Sequence, residues 1–208
     1  MTRPVELAPA LPGSNPGWRR RHVFAALGLR APRTERTAAE AQLLREVAAG
    51  RRCIVELGVA EGGSALDLRR AMAPDGCLVL VDRYATGRTR MSFARIVARR
   101  VVAASDNGRV AWLRQSSDEA ARTWSGTIDL LHVDADHEFE QVRRDWMTWH
   151  RHVPVGGAVA FHDSAVFAGG WTTPEWGPVR LVEEIVVQRP DWRLAARSDS
   201  LSVLRRVA

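Results

Sequence analysis

Two short stretches concentrate the side chains able to do chemistry. Ile128-Asp129-Leu130-Leu131-His132-Val133 runs into Asp134-Ala135-Asp136-His137, and Val159-Ala160-Phe161 runs into His162-Asp163-Ser164. In both, an apolar run ends in acids and histidines. Oxygen donors from two neighbouring strand ends suit Mg²⁺, which takes few protein carboxylates and keeps waters. Asp134 and Asp163 are the candidate ligands; the third is open between the residues flanking Asp163, His162, taken first, and Ser164. His137 stands three residues after Asp134. An imidazole titrates near neutrality and can take a proton from a hydroxyl. The plainer alternatives are that Asp134 touches a substrate directly, that His162 is a satisfied core histidine, and that His137 caps a helix or sits in a solvated loop.

A third stretch, Val55-Glu56-Leu57-Gly58-Val59-Ala60-Glu61-Gly62-Gly63-Ser64, reads as a strand turning into a helix. Glycines there permit a tight turn and close approach of the backbone to a ligand, and a helix N-terminus offers free N–H groups. Glu56, Gly58, Gly62, Gly63 and Ser64 are the candidate contacts. The pattern is not the G-x-G-x-x-G of dinucleotide sites. Asp82, at the end of Val79-Leu80-Val81, is placed to accept both ribose hydroxyls of a nucleoside; helix capping is its plainer role.

These residues need a scaffold that gathers strand ends. Apolar runs Cys53–Leu57, Cys77–Val81, 110–113, 128–133 and Ala158–Phe161 read as strands. Helices are expected between them over 64–72, 91–104, 118–124 and 139–150. Strands apolar throughout, alternating with helices, imply a parallel sheet covered on both faces. Upstream, 35–49 reads as an amphipathic helix carrying Ala38, Ala39, Gln42, Leu43 and Val47 at helical spacings, closed by Gly50. Residues 1–34 are expected to form an irregular arm and 35–208 one domain. After 164–178, rich in Gly, Pro and Trp, come a helix near 179–187 and two strands, 192–196 and 200–204, joined by a tight turn.

Composition narrows the classes. The chain has 208 residues, 46% hydrophobic, with formal charge +6, which is ample for a globular core. All 30 basic residues are Arg. They are dispersed, with no accompanying nucleic-acid motif, so neither nucleic acid nor membrane is an expected partner. Cys53 and Cys77 each begin an apolar run and read as buried thiols, without a disulfide framework. A cytoplasmic location is expected. A nicotinamide oxidoreductase is disfavoured, since Tyr84 is the only tyrosine and no lysine exists to pair with it.

The glycine stretch, with Ala60 in place of the usual middle glycine, and Asp82 resemble the cofactor loop of class I methyltransferases that use S-adenosylmethionine (SAM). Asp134 and Asp163 resemble the acidic positions of the small metal-dependent O-methyltransferases, of the catechol type and of the actinobacterial sugar type, including those of methylmannose polysaccharide pathways. The resemblance covers about residues 50–165. It implies a Rossmann-like α/β fold with a mostly parallel seven-stranded sheet and a C-terminal antiparallel hairpin. It implies SAM on the glycine loop and Asp82, with Ser116 and Ser117 edging the adenine, and Mg²⁺ on Asp134, His162 and Asp163. It places His137 where catechol-type relatives carry a Lys base. The expected reaction is O-methylation of a small acceptor, a carbohydrate first, with Trp171 and Trp176 available for stacking. A catechol or polyketide phenol is the alternative acceptor, SAM binding without turnover the alternative role, and a homodimer the expected assembly.

Overall fold

The structure, a computed structural model, describes residues 8–9, 18–84 and 92–208. The arm expected over residues 1–17 and the expected helix start at 91 fall largely outside them. Nine strands and seven α-helices are described: β1 (Ala8–Pro9), α1 (Trp18–Ala26), β2 (Arg33–Thr34), α2 (Ala38–Ala48), β3 (Cys53–Leu57), α3 (Gly63–Ala71), β4 (Cys77–Val81), α4 (Phe93–Val102), β5 (Arg109–Leu113), α5 (Ser117–Thr123), β6 (Leu130–Val133), α6 (Phe139–Trp149), β7 (Ala158–Phe161), α7 (Gly177–Gln188), β8 (Trp192–Ser198) and β9 (Leu201–Arg206).

The main sheet has seven strands in the order β5-β4-β3-β6-β7-β9-β8. β3 to β7 are parallel, while β9 runs antiparallel to β7 and pairs with β8 as a hairpin. The expected Rossmann-like fold is thus the observed one. The apolar strands alternate their side chains between two buried faces. Val55, Leu57, Val79, Val81, Leu131, Val133, Val159 and Phe161 pack under α5, α6 and α7. Ile54, Leu78, Leu80, Leu130, Ala158 and Ala160 pack under α2, α3 and α4. Burial on both faces is why these strands read as unbroken hydrophobic runs.

Three local expectations change. The segment expected to be irregular contains α1, whose Ala25 packs with Leu66, Val97 and Val101, and β2 pairs with β1. Helix α2 starts at Ala38 because Thr37 and Glu40 form a capping box. Its buried face is Glu40, Leu44 and Ala48, with Leu43 and Val47 partly buried beside it. Cys53 and Cys77, expected to be buried, are free and only partly buried; they lie in register on β3 and β4, and burial pushes the Cys53 thiol up to about 11, which keeps it protonated near neutral pH.

Strand order reverses at β3, with β4 on one side and β6 on the other. Ligands of open α/β sheets bind in the crevice that opens at such a point, outside the carboxyl ends of the strands. The loops after β3, β4, β6 and β7 all leave from that edge, and each begins with a hydrogen bond to the neighbouring strand end: Gly58 to Val81, Asp82 to Leu113, Asp134 to Leu57 and His162 to Val133.

Candidate active site

The loop after β3 turns through left-handed backbone at Gly58 (φ 83°), Ala60 (φ 46°) and Gly62 (φ 84°). A Cβ on Gly58 would lie 2.1 Å from the Asp134 carbonyl oxygen. Only glycine lets the β3 and β6 ends approach this closely. Gly62 and Gly63 serve packing instead: a Cβ on Gly62 would press on Ala98 of α4, and one on Gly63 on Thr34. Ser64 is buried in the first turn of α3.

Asp82 organises this loop. Its Oδ2 accepts from the Val59 N–H (2.9 Å) and the Ala60 N–H (3.2 Å), and its Oδ1 from the Tyr84 N–H (2.6 Å). The carboxylate is partly exposed beside the crevice. Its first partners are thus backbone groups, which hold Ala60 in the left-handed turn the missing glycine would otherwise favour. Glu61, unremarked in the sequence, is buried and binds His22 Nδ1 (2.5 Å) and the Arg33 N–H, tying the loop to the N-terminal segment.

Glu56 does not reach the crevice. It points to the α2–α4 side of the sheet, fully buried, with Oε1 3.0 Å from Nδ1 of the equally buried His132, its register partner on β6. A side chain with no exposed surface cannot contact a cofactor without rearrangement. Ser116 and Ser117 are likewise committed elsewhere. Ser116 caps α5 in a capping box with Glu119, and the Ser117 hydroxyl donates to Asp145 Oδ1 (2.5 Å). The S-x-x-E spacing was the signal for that cap.

The β6 and β7 ends do come together. His162 Nδ1 lies 3.1 Å from Asp134 Oδ1 and 3.5 Å from Asp163 Oδ1. On its other side, Nε2 lies 3.5 Å from Oε2 of Glu40. Burial alone would raise the Asp134 carboxyl and lower His162. The neighbouring charges and the hydrogen bond between them prevail, holding Asp134 down at about 2 and His162 well above the usual imidazole range. Asp163, with φ 53°, is a second hub. Its Oδ1 accepts from the Trp171 indole N–H (2.7 Å), with the Ser200 hydroxyl oxygen 3.2 Å away. Its Oδ2 lies 2.9 Å from His137 Nε2. His137 is 45% exposed at its side chain. Burial lowers it, but the hydrogen bond and charge of Asp163, with Asp134 beyond, carry it above the ordinary histidine value.

The loop rich in Trp closes over these groups. Its end docks where the Gly177 N–H donates to the His137 carbonyl (3.0 Å), so close that a Cβ on Gly177 would meet that oxygen at 2.5 Å. Trp176 packs its ring 4.8 Å from the His137 ring. Trp171 spends its N–H on Asp163, so it braces the site as well as lining it.

Mg²⁺ does not fit the donors as they stand. The ion demands near-octahedral oxygens, mostly waters. Both oxygens of buried Asp163 already accept hydrogen bonds, and His162 faces carboxylates through both nitrogens. Among the described residues no three His, Cys, Asp or Glu side chains converge to hold a metal ion. Glu40, Ser200 and the Trp171 N–H, all unassigned in the sequence, complete the cluster instead. Only Glu40 had a local signal, the T-x-x-E of its capping box.

No curated protein matches the chain in sequence. Among solved structures, the O-methyltransferase TomG of Streptomyces achromogenes, in complex with SAM and involved in tomaymycin synthesis, superposes with TM-score 0.67 at 18% identity, covering 94% of this chain and 92% of its own. An O-methyltransferase from Bacillus cereus in complex with SAH (S-adenosylhomocysteine) superposes with TM-score 0.64 at 15% identity, over 93% and 92% of the two chains. A putative rRNA-methylase from Clostridium thermocellum gives 0.62 at 10% identity, over 84% and 99%. At such identities the likeness is one of fold. No helix among the described residues is long and apolar enough to cross a membrane. The family described as "Methyltransferase domain" matches residues 55–164, more than half of the chain and the whole run from the glycine loop to the Asp163 turn, and the chain belongs to that family.

Proposed function

We propose that the chain transfers a methyl group from SAM to a hydroxyl of a small acceptor, with His137 as general base oriented by Asp163. The observation that carries this reading is the His137–Asp163 pair: a half-exposed imidazole whose Nε2 is held 2.9 Å from a buried carboxylate, at the crevice where strand order reverses. A buried partner fixes the tautomer and ring orientation, leaving Nδ1 to receive a proton. The β3 loop and partly exposed Asp82 offer SAM backbone groups and a carboxylate at the same crevice, which fits a nucleoside bearing an amino-acid tail.

SAM supplies an electrophilic methyl on a sulfonium, and transfer leaves a thioether. The chain's own contribution is alignment, which yields most of the acceleration in such a displacement. His137 Nδ1 accepts the acceptor's hydroxyl proton as the oxygen attacks. Asp163 stabilises the imidazolium so formed. Asp134, kept ionised, is placed to accept a hydrogen bond from a second acceptor hydroxyl. No step is assigned to a metal.

A carbohydrate is the first acceptor class to test, since it presents adjacent hydroxyls to Asp134 and His137 and a ring face to Trp176. A catechol or polyketide phenol comes second, and a ribosomal RNA third. The test is a labelled-methyl assay across the three classes, paired with calorimetric SAM binding. His137→Ala is expected to bind SAM as the wild type does and to lose about 10²–10⁴-fold in kcat. Near wild-type kcat with the same pH profile would show that His137 is structural. No SAM binding by the wild type would refute the reading at its root.

A further inference from the structure

The acidic cluster already contains a cation. His162 has a side chain only 2% exposed, on the first residue after β7. Three carboxylates from three elements surround it: Glu40 of α2 at Nε2 (3.5 Å), Asp134 after β6 at Nδ1 (3.1 Å) and neighbouring Asp163 at Nδ1 (3.5 Å). A neutral imidazole has one N–H and one lone pair. With carboxylates against both nitrogens, either neutral tautomer aims a lone pair at a negative oxygen inside the protein. Only the doubly protonated ring presents an N–H to each side, hydrogen-bonded to Asp134 at Nδ1 and ion-paired with Glu40 at Nε2, which has no hydrogen-bond partner of its own. The remaining neighbours agree. Ser200 donates through its N–H (2.8 Å) and hydroxyl (2.6 Å) to Glu40 Oε1, and the Thr37 N–H donates to Glu40 Oε2 (2.8 Å), so these act as donors to Glu40 and leave the His162 charge unopposed. Two other histidines face the cluster: His137, engaged with the far oxygen of Asp163, and buried His132, whose charge acts on Asp134 from β6 and whose Nδ1 pairs with Glu56.

We propose that the resident cation of this site is the His162 imidazolium, in the role for which the acidic residues suggested Mg²⁺, and that methyl transfer here needs no divalent metal. The second half rests on the function proposed above; the first stands on geometry alone. A buried charge is tolerable only when paired and hydrogen-bonded. His162 supplies that pairing to Asp134 and Asp163 together, fixing the carboxylate that faces the crevice and the one that orients His137. His162 is a positioning residue: it acts through two acids and touches no substrate. A divalent ion bound to Asp134 would bring a second cation against the imidazolium, so the two are mutually exclusive.

The first tests use the intact wild-type chain, so the proposal can fail without any variant having to fold. Nitrogen-15 spectra of the ring are expected to show both His162 nitrogens protonated at about pH 8, where an ordinary histidine is neutral. Mn²⁺, followed by electron paramagnetic resonance, is expected to show no saturable site at millimolar concentration. A neutral His162 ring at that pH, or a stoichiometric Mn²⁺ site abolished by Asp134→Asn, would overturn the proposal. In Glu40→Gln, which removes one of the three negative partners, the ring titration is expected to move down by about one unit or more; an unmoved midpoint would count against the enclosure. With an acceptor in hand, turnover is expected to survive exhaustive chelation, and rescue by Mg²⁺ would overturn metal independence. Should SAM fail to bind, the functional reading falls while the spectra and the Mn²⁺ titration still decide the charge of His162.

Discussion

Gly58→Ala offers a sharp test of how the two halves of the crevice are joined. The perturbation adds one methyl group. At φ 83° that methyl sits in left-handed backbone, which costs an ordinary residue about 1–2 kcal/mol. The methyl would also lie 2.1 Å from the Asp134 carbonyl oxygen and 2.6 Å from the Ala135 Cα. Both are backbone atoms of the turn that leaves β6, anchored by the Asp134 N–H on Leu57, so no flexible side chain can swing away. Forced repacking of that kind costs about 1–3 kcal/mol. The total is about 2–5 kcal/mol. Gly156→Ala is the matched control: its φ is 84°, but nothing lies within 4 Å of the added methyl, so strain alone, about 1–2 kcal/mol, is expected. In a domain of this size each kcal/mol lowers Tm by about 2–4 °C. Thermal unfolding should therefore show a drop of roughly 4–20 °C for Gly58→Ala and roughly 2–8 °C for Gly156→Ala. Chemical denaturation of both variants, with unchanged m-values, isolates the clash by difference. Equal losses in the two would refute the close approach of the β3 turn to Asp134. SAM affinity should also fall in Gly58→Ala alone, because only there does the Asp134 turn have to move.

Other outcomes follow from the same geometry. Asp82→Ala removes the acceptor of three backbone N–H groups, so it should cost stability by about 1–3 kcal/mol as well as weakening SAM binding; loss of SAM affinity with unchanged Tm would mean the loop holds itself. The proposed base works only when neutral, and its folded value is raised, so wild-type turnover should climb through a pH above the ordinary histidine range. Asp163→Asn should shift that limb to lower pH and reduce kcat, and an unmoved limb would disconnect His137 from it. Asp145 is buried, with Oδ2 lacking a partner, and burial with nearby Asp118 and Asp136 pushes it up to about 6. Because the folded value lies above the unfolded one, the native state holds the proton more tightly. Its cost is absent below about pH 4, grows through pH 6 and levels near 3 kcal/mol. Asp145→Asn should thus stabilise the chain at pH 8 and not at pH 4, as read by denaturant titration at both.

The sequence by itself determined the sheet and its edge of function. β3, β4 and β7 start and stop where the runs of buried residues do, because a strand buried on both faces is apolar almost throughout, Glu56 of β3 being the exception. The alternation of strands and helices implied a parallel sheet, and a parallel sheet places Gly58, Asp82, Asp134 and Asp163 on one edge whatever the details. The T-x-x-E at Thr37 and the S-x-x-E at Ser116 are local patterns of the capping boxes found there, yet from the sequence Glu40 is unassigned and Ser116 is expected at the adenine. What only the tertiary structure decided is which partner each polar group meets. Glu56 and Asp82 both follow apolar strand residues, yet one pairs with His132 inside the core and the other binds the backbone of the β3 loop. Glu40 and Ser200 lie far apart in the chain, and their meeting beside His162 depends on how α2 and the β8–β9 turn pack against the end of β7. The charge of His162 is the sum of those meetings. Hydrophobic periodicity is a property of neighbours along the chain, whereas hydrogen bonds and ion pairs act over a few ångströms through space, and so the fold was legible before the site.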